Sequence, residues 1–423
     1  MNEAVKTSTP ASLAPSPANS ALAPLREPLF RSLWIAAVIS YTGTWMQNVG
    51  AGWLMTQLTM SPLMVSLVTA ATTLPVFLVI LPAGALADLV DRRRFLLITQ
   101  SWMVVAAALL GMLTLEHFVT PWMLLLFTFI LGLGAVMNDP AWQAITPEIV
   151  CPENHAPAVA LNSVGFNVAR AFGPALGGLV IAAAGSGVAF LLNATSFFGV
   201  IFFLYRWKRP HLEQVETGRV RDALFAGLRY VRGAPLARSI LIRTGAFSLA
   251  ASSLPALLPI LARPHGATGY GLLLGFFGLG ALAGAAVLPR VRTRFSVDSL
   301  VAFDILLFAA MTFAAGRVQT FSWLCLVLFA SGTAWIGILA CLNIAAQTMS
   351  PSFLRARSLS MYLLVLQGGM ALGSAAWGAL ATRVGVPAAL LCSAVALVGG
   401  LFTVRRHRLA SVQLELTPSV VRD

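Results

Sequence analysis

Twelve runs of predominantly apolar residues follow one another along the chain, at about 31–57, 62–87, 95–115, 122–147, 157–184, 188–206, 238–262, 269–289, 297–315, 321–348, 357–382 and 386–404. Each is close to the roughly 20 residues that a helix needs to cross the ~30 Å hydrocarbon core of a bilayer. The runs are continuous and rich in Leu, Ala and Gly, without the every-second-residue alternation that marks a membrane-spanning strand. The pattern predicts an all-α membrane protein with twelve transmembrane helices. The longest polar interval, Trp207 to Ala237, separates six runs from six, which predicts two six-helix bundles, 29–206 and 238–404, joined by a linker at 207–237. Within that linker, Val220, Leu224, Leu228 and Val231 share one helical face while Arg221, Asp222, Arg229 and Arg232 lie largely elsewhere. Such an amphipathic helix rests on a membrane surface or serves as a target for a partner protein. Residues 1–28, rich in Pro, Ala and Ser, are expected to be disordered, and 405–423 to form a polar tail. The N-terminal stretch lacks the basic-then-apolar order of a cleavable signal, so the first run is expected to direct insertion.

Composition supports the membrane reading. The chain is 58% hydrophobic and only 10% charged, with a mean hydropathy of +0.83, too apolar to cover a soluble exterior. Its net charge of +13 changes meaning once the basic residues are placed: 23 of the 28 Lys and Arg fall in segments on one side of the twelve-run topology. That asymmetry is the positive-inside rule, so it predicts cytoplasmic termini and a multi-pass protein of the cell membrane, and it removes the case for nucleic acid. Cys325, Cys341 and Cys392 lie in apolar runs and Cys151 in a loop, which implies no disulfide framework. There is no GxxxxGK[ST], HExxH or CxxC, and His117, His155, His211, His265 and His407 have no metal-ligand spacing. GLLLGFFGLG in the eighth run has no preceding strand and reads as helix packing, not a dinucleotide loop. The expectation is a non-enzyme without metal or cofactor.

The halves also resemble each other. A shift of 200 positions lays Gly84, Ala85, Arg92, Arg94 and Phe95 on Gly284, Ala285, Arg292, Arg294 and Phe295, and Gly173 and Gly178 on Gly373 and Gly378. With an even number of spans per half, a duplication gives parallel repeats that can rock about a central cavity.

The stretch GALADLVDRRRFLL, residues 84–97, places five ionised side chains in seven positions between the second and third runs. It resembles the loop signature of the Major Facilitator Superfamily, Gly-x-x-x-Asp-Arg/Lys-x-Gly-Arg-Arg/Lys, with Gly84, Asp88, Arg92 and Arg93 on the pattern and Leu89 and Asp91 departing from it. The resemblance implies a charge latch, formed by Gly84, Asp88, Asp91, Arg92 and Arg93, that closes the cytoplasmic side. In the fifth run, ARAFGPALGG supplies Gly173, Pro174, Gly177 and Gly178, similar to the GPxxGG core that marks exporters in the superfamily. The arginine that the superfamily places before GLGA in the fourth run is replaced by Thr128. Longer stretches, GTWMQNVGAGWLMTQLTMSPLMVSL and YGLLLGFFGLGALAGA among them, resemble the transmembrane secretion effector branch, which includes siderophore exporters.

What the resemblance implies is a secondary active transporter that exports amphipathic, siderophore-like or drug-like molecules by alternating access, driven by the proton gradient as an antiporter. An importer, a symporter or a lysophospholipid flippase would share the fold, and a transport-inactive sensor or assembly partner stays open. Two charges deep in the runs, Arg170 and Asp139, are the candidates for coupling. Counting 1.5 Å per residue along each run places them within reach of each other, so a pair is expected, either exchangeable or static. Asp304 in the ninth run is the weaker candidate, and Glu148, Arg243 and Asp298 are read as helix-end groups. Gln47, Asn48, Asn138, Asn167, Asn343 and Gln367 are the candidates for lining a substrate cavity, with Asn162 and Gln347 beside them.

Overall fold

The structure, a computed structural model, describes residues 21–89, 91–207, 235–348 and 355–406. The linker helix expected at 219–233 and the tail beyond 406 lie outside these residues. The described residues form twelve helices and no strand: α1 (Pro28–Leu58), α2 (Pro62–Leu89), α3 (Arg92–Leu115), α4 (Pro121–Ile145), α5 (His155–Arg206), α6 (Pro235–Ala251), α7 (Ser253–Leu261), α8 (Gly266–Arg292), α9 (Val297–Ala315), α10 (Phe321–Thr348), α11 (Arg355–Val384) and α12 (Val386–Arg406), with short 3-10 turns between some of them. The starts follow from local chemistry. Pro28 and Pro121 open α1 and α4, where a missing N–H costs nothing, and Thr120, Asp91 and Ser296 cap α4, α3 and α9 with side-chain oxygens.

Ten helical stretches among the described residues are long and apolar enough to cross a membrane. They do not include α1, whose 31 residues carry Thr42, Thr44, Gln47, Asn48 and Thr56. They count Pro152–Arg206 once, although a straight helix of 55 residues would be about 80 Å long, far more than a bilayer core. Gly185 resolves the excess: its φ of 83° breaks the helix, and the chain turns back on itself. The return is visible on α1, where Trp34 donates to the Leu161 carbonyl while Ala36 lies against Gly199. The span expected at 238–262 is divided between α6 and α7, which meet at Ser252. Residues 21–27, expected to be disordered, instead form a turn and a 3-10 helix, held where the Glu27 carboxylate accepts from the Asn154 side chain and the Cys151 N–H.

The two halves meet through α2 on α11 and α5 on α8. The 200-residue repeat is realised in these contacts. Gly178 of α5 packs on Ala267 and Gly271 of α8, and its counterpart Gly378 of α11 packs on Leu63 and Ser66 of α2. Gly173 sits against Thr42 and Trp45, and Gly373 against Leu249 and Ser252. The GPxxGG segment therefore lies at a three-helix junction, with Gly173 and Gly177 facing α1 and Gly178 facing α8. Across the same end, Arg263 donates to the carbonyls of Thr56 and Thr59 at 3.2 and 2.8 Å, and Trp53 stacks on Tyr270. One apolar core there joins Val49, Ile181 and Ala189 of the first half to residues of the second. Toward the other end, where the arginines cluster, Gly278 of α8 packs on the backbone of Arg170 and Ala171. Beyond them Phe166, Asn167 and Ser163 are exposed. Among the described residues, the close glycine contacts between the halves run from the middle of the helices to the end away from the arginines.

A Cβ on Gly178 would lie 2.7 Å from the Ala267 carbonyl oxygen and 2.9 Å from the Gly271 Cα, backbone atoms that cannot swing away. Gly178→Val should cost about 1–3 kcal/mol of stability by overpacking. Gly399→Ala, where nothing lies within 4 Å, should cost nothing; melting of the purified protein reads both.

Candidate functional site

At the basic end, the charged stretch binds the first half to itself. The Asp91 carboxylate accepts from the Arg94 N–H at 2.9 Å and caps α3. Arg92 reaches Glu148 at 3.0 Å and the Ala144 carbonyl at 3.3 Å, which ties α3 to the end of α4. Arg93 donates to the Leu204 and Tyr205 carbonyls at 2.8 and 2.6 Å, in the last turn of α5, where unpaired carbonyls and the helix dipole favour a cation. Gly84 and Asp88 belong to the last turns of α2, and their side chains lie outside the described residues. Glu148 is thus an ion partner and not a plain helix-end group. The same correction holds for Arg243 and Asp298, which form an ion pair between α6 and α9 with side-chain exposures of 2% and 15%. Both were hidden by their nearness to run ends, where snorkelling to water is the usual fate; here the neighbouring helices cover them.

Two cavities meet at Asp139. The first, about 170 Å³, lies inside the first bundle and is walled by Thr44, Gln47, Asn48, Thr72, Thr128, Asp139 and Asn193 with apolar side chains between them. Thr128, standing where the superfamily pattern has an arginine, leaves part of this space open. The second is a cleft of about 430 Å³ lined by Tyr41, Asp139, Trp142, Gln143, Thr146, Val159, Asn162, Ser163, Phe166 and Asn167. Asp139 is exposed to these spaces and lines both. Asn193, which the sequence reading passed over, donates to the Gln47 amide oxygen and fixes it at the inner cavity. The signal was available, since Asn193 is an amide inside the sixth apolar run, and the structure buries it to 2% exposure.

Several expected neighbours are not brought together. Arg170 is half-buried and makes no ion pair with Asp139 or any other described residue. Spacing along each run set only how far apart the two could be; at this level of α5 it is the Arg170 carbonyl that meets Gly278 of α8. Asn138 is turned away from the cavity and accepts from Gln100 at 2.9 Å, a packing bond between α3 and α4. Asn343 accepts from Gln347 one turn later on α10, and Gln367 is half-buried on α11 beside Gly368, which packs on Phe77 of α2. Neither lines the two cavities. Asp304 of α9 is lodged against Gly337 of α10, in space that a Cβ would fill. No group of three His, Cys, Asp or Glu among the described residues could hold a metal ion.

Comparison with known proteins agrees with this architecture. A family model described as transmembrane secretion effector matches residues 19–421. The chain is 26% identical over 361 residues to the enterobactin exporter EntS of Salmonella choleraesuis, covering 84% of this chain and 86% of that protein. It is 28% identical over 417 residues to the multidrug efflux pump Tap of Mycolicibacterium fortuitum, covering 93% and 99%. It is 24% identical over 260 residues to the staphyloferrin A transporter of Staphylococcus aureus, covering 60% of this chain and 66% of that protein. Among solved structures, a bacterial homologue of the human lysosomal transporter Spinster, in an inward-facing and occupied conformation, shares the fold with a TM-score of 0.71 at 14% identity, over 91% of this chain and 97% of that one.

The Arg243–Asp298 pair gives a direct test of burial. Arg243→Ala alone should cost about 3–5 kcal/mol, because it strands a carboxylate among packed helices. The double variant Arg243→Met with Asp298→Leu should recover most of that loss in the same denaturation measurement.

Proposed function

The chain belongs to the transmembrane secretion effector family of Major Facilitator Superfamily transporters, and from that membership we propose that it exports amphipathic small molecules from the cytoplasm in exchange for protons. It is a multi-pass transporter of the cell membrane and not an enzyme. In this reading the chain crosses the bilayer twelve times, with α5 supplying two crossings and α6 and α7 together one, and the basic end faces the cytoplasm. The observation that carries the reading is the position of Asp139 on the wall shared by an inner polar cavity and a cleft at the basic end. A carboxylate at that depth is costly unless it is protonated, paired or hydrated. The polar walls of the inner cavity are large enough for water, which can carry a proton to Asp139 from the side opposite the cargo. Proton and cargo then compete for one group, and each crossing of the cavity exchanges one for the other. Relatives whose names record efflux or siderophore export support the direction.

The cytoplasmic latch belongs to the same cycle. When the cavity faces outward, Asp88 and Asp91 with Arg92 and Arg93 close the basic end around Gly84, and the difference between the two states is of the order of 1–3 kcal/mol. Arg92 and Arg93 are positioned for this by α3, whose N-terminus directly follows the end of α2.

Proteoliposomes loaded with a fluorescent amphipathic cargo test the export reading. Cargo should move from the basic-end side to the opposite side when the latter is made acidic, and Asp139→Asn should remove that pH-driven component. Movement in the reverse direction would support an importer, and no flux with any cargo would support a sensor. Separately, Asp88→Asn should lower transport while expression and insertion stay normal; unchanged transport would exclude the latch.

A further inference from the structure

We propose that the cleft beside Asp139 binds lipophilic organic cations with aromatic or flat apolar bodies. The inference deepens the export reading, since it rests on that cleft being the cargo site. Among the described residues that line it, Asp139 is the one that carries charge, and three aromatic side chains, Tyr41, Trp142 and Phe166, share its walls. Phe166 is 41% exposed, and Tyr41 meets it edge to face with ring centroids 5.4 Å apart. The remaining polar lining, Asn162 and Asn167 among it, is neutral. Aromatic faces attract cations, and a carboxylate facing a cleft with no basic neighbour favours a positive ligand. A volume near 430 Å³ is within the range of small-molecule sites. An anionic cargo would meet Asp139 there with no lining cation to offset it. Arg170, one turn beyond Phe166 on α5, is not part of the lining. Since Asp139 also faces the inner cavity, a bound cation occupies the group that a proton would otherwise hold.

The test uses two probes of nearly the same shape and opposite charge, tetraphenylphosphonium and tetraphenylborate. Binding to the full-length protein in nanodiscs, followed by quenching of intrinsic tryptophan fluorescence without any gradient, should saturate with the phosphonium. Asp139→Asn should weaken it by about tenfold or more. Asp139→Glu should retain it, and Phe166→Ala, at a half-open surface position, should weaken it several-fold even if Asp139→Asn folds poorly. Equal or tighter binding of tetraphenylborate or of 2,3-dihydroxybenzoate would overturn the proposal. So would a phosphonium affinity unchanged in Asp139→Asn. Because binding is read without a gradient, phosphonium binding without pH-driven flux would sink proton exchange and leave this site standing, whereas pH-driven flux confined to anions would do the reverse.

Discussion

The structure depends on how closely two pairs of helices can approach at the end away from the arginines. There α5 meets α8, and α11 meets α2, at glycines that leave no room for a side chain. Lipid offers no hydrophobic drive for helices to associate, because the tails are as apolar as leucine, so contact between backbones carries the association. The cleft at Asp139, with Phe166 and Asn167 exposed on its wall, is built by α1, α4, α5 and the turn between the last two, all of the first half.

Charge in this protein is used in three distinct ways. Arg243 and Asp298 are covered by helices and paired, which fixes α6 to α9. Arg92 and Arg93 hold carboxylate and carbonyl partners at the rim and join three helices of one half. Asp139 differs from both, since it faces open space on two sides. A buried pair contributes rigidity, and a rim pair can be exchanged for water at small cost. A lone carboxylate facing a cavity is suited to exchange because neither helix nor partner already neutralises it.

Much of this was legible in the sequence, for reasons of period and spacing. Continuous apolar runs gave the helices, and the 200-residue shift led to Gly178 and Gly378, whose contacts with opposite halves match. Length alone could not show that Gly185 reverses the chain without a loop, although the change of run near 185 marked the place. Azimuth was the main thing missing. Asn138 and Asp139 are neighbours about 100° apart on one helix, so one bonds to α3 while the other lines the cavities. A rise per residue put Arg170 and Asp139 within reach of each other, yet the structure forms no pair between them. Gln100 and Asn193 were missed, and Glu148 was read as a helix-end group, because their partners come from distant segments that no local spacing reveals.

The turn at Gly185 has a further consequence. One residue reverses the chain between two helical segments, so this corner has no loop, the kind of element where binding and proteolytic nicking usually concentrate.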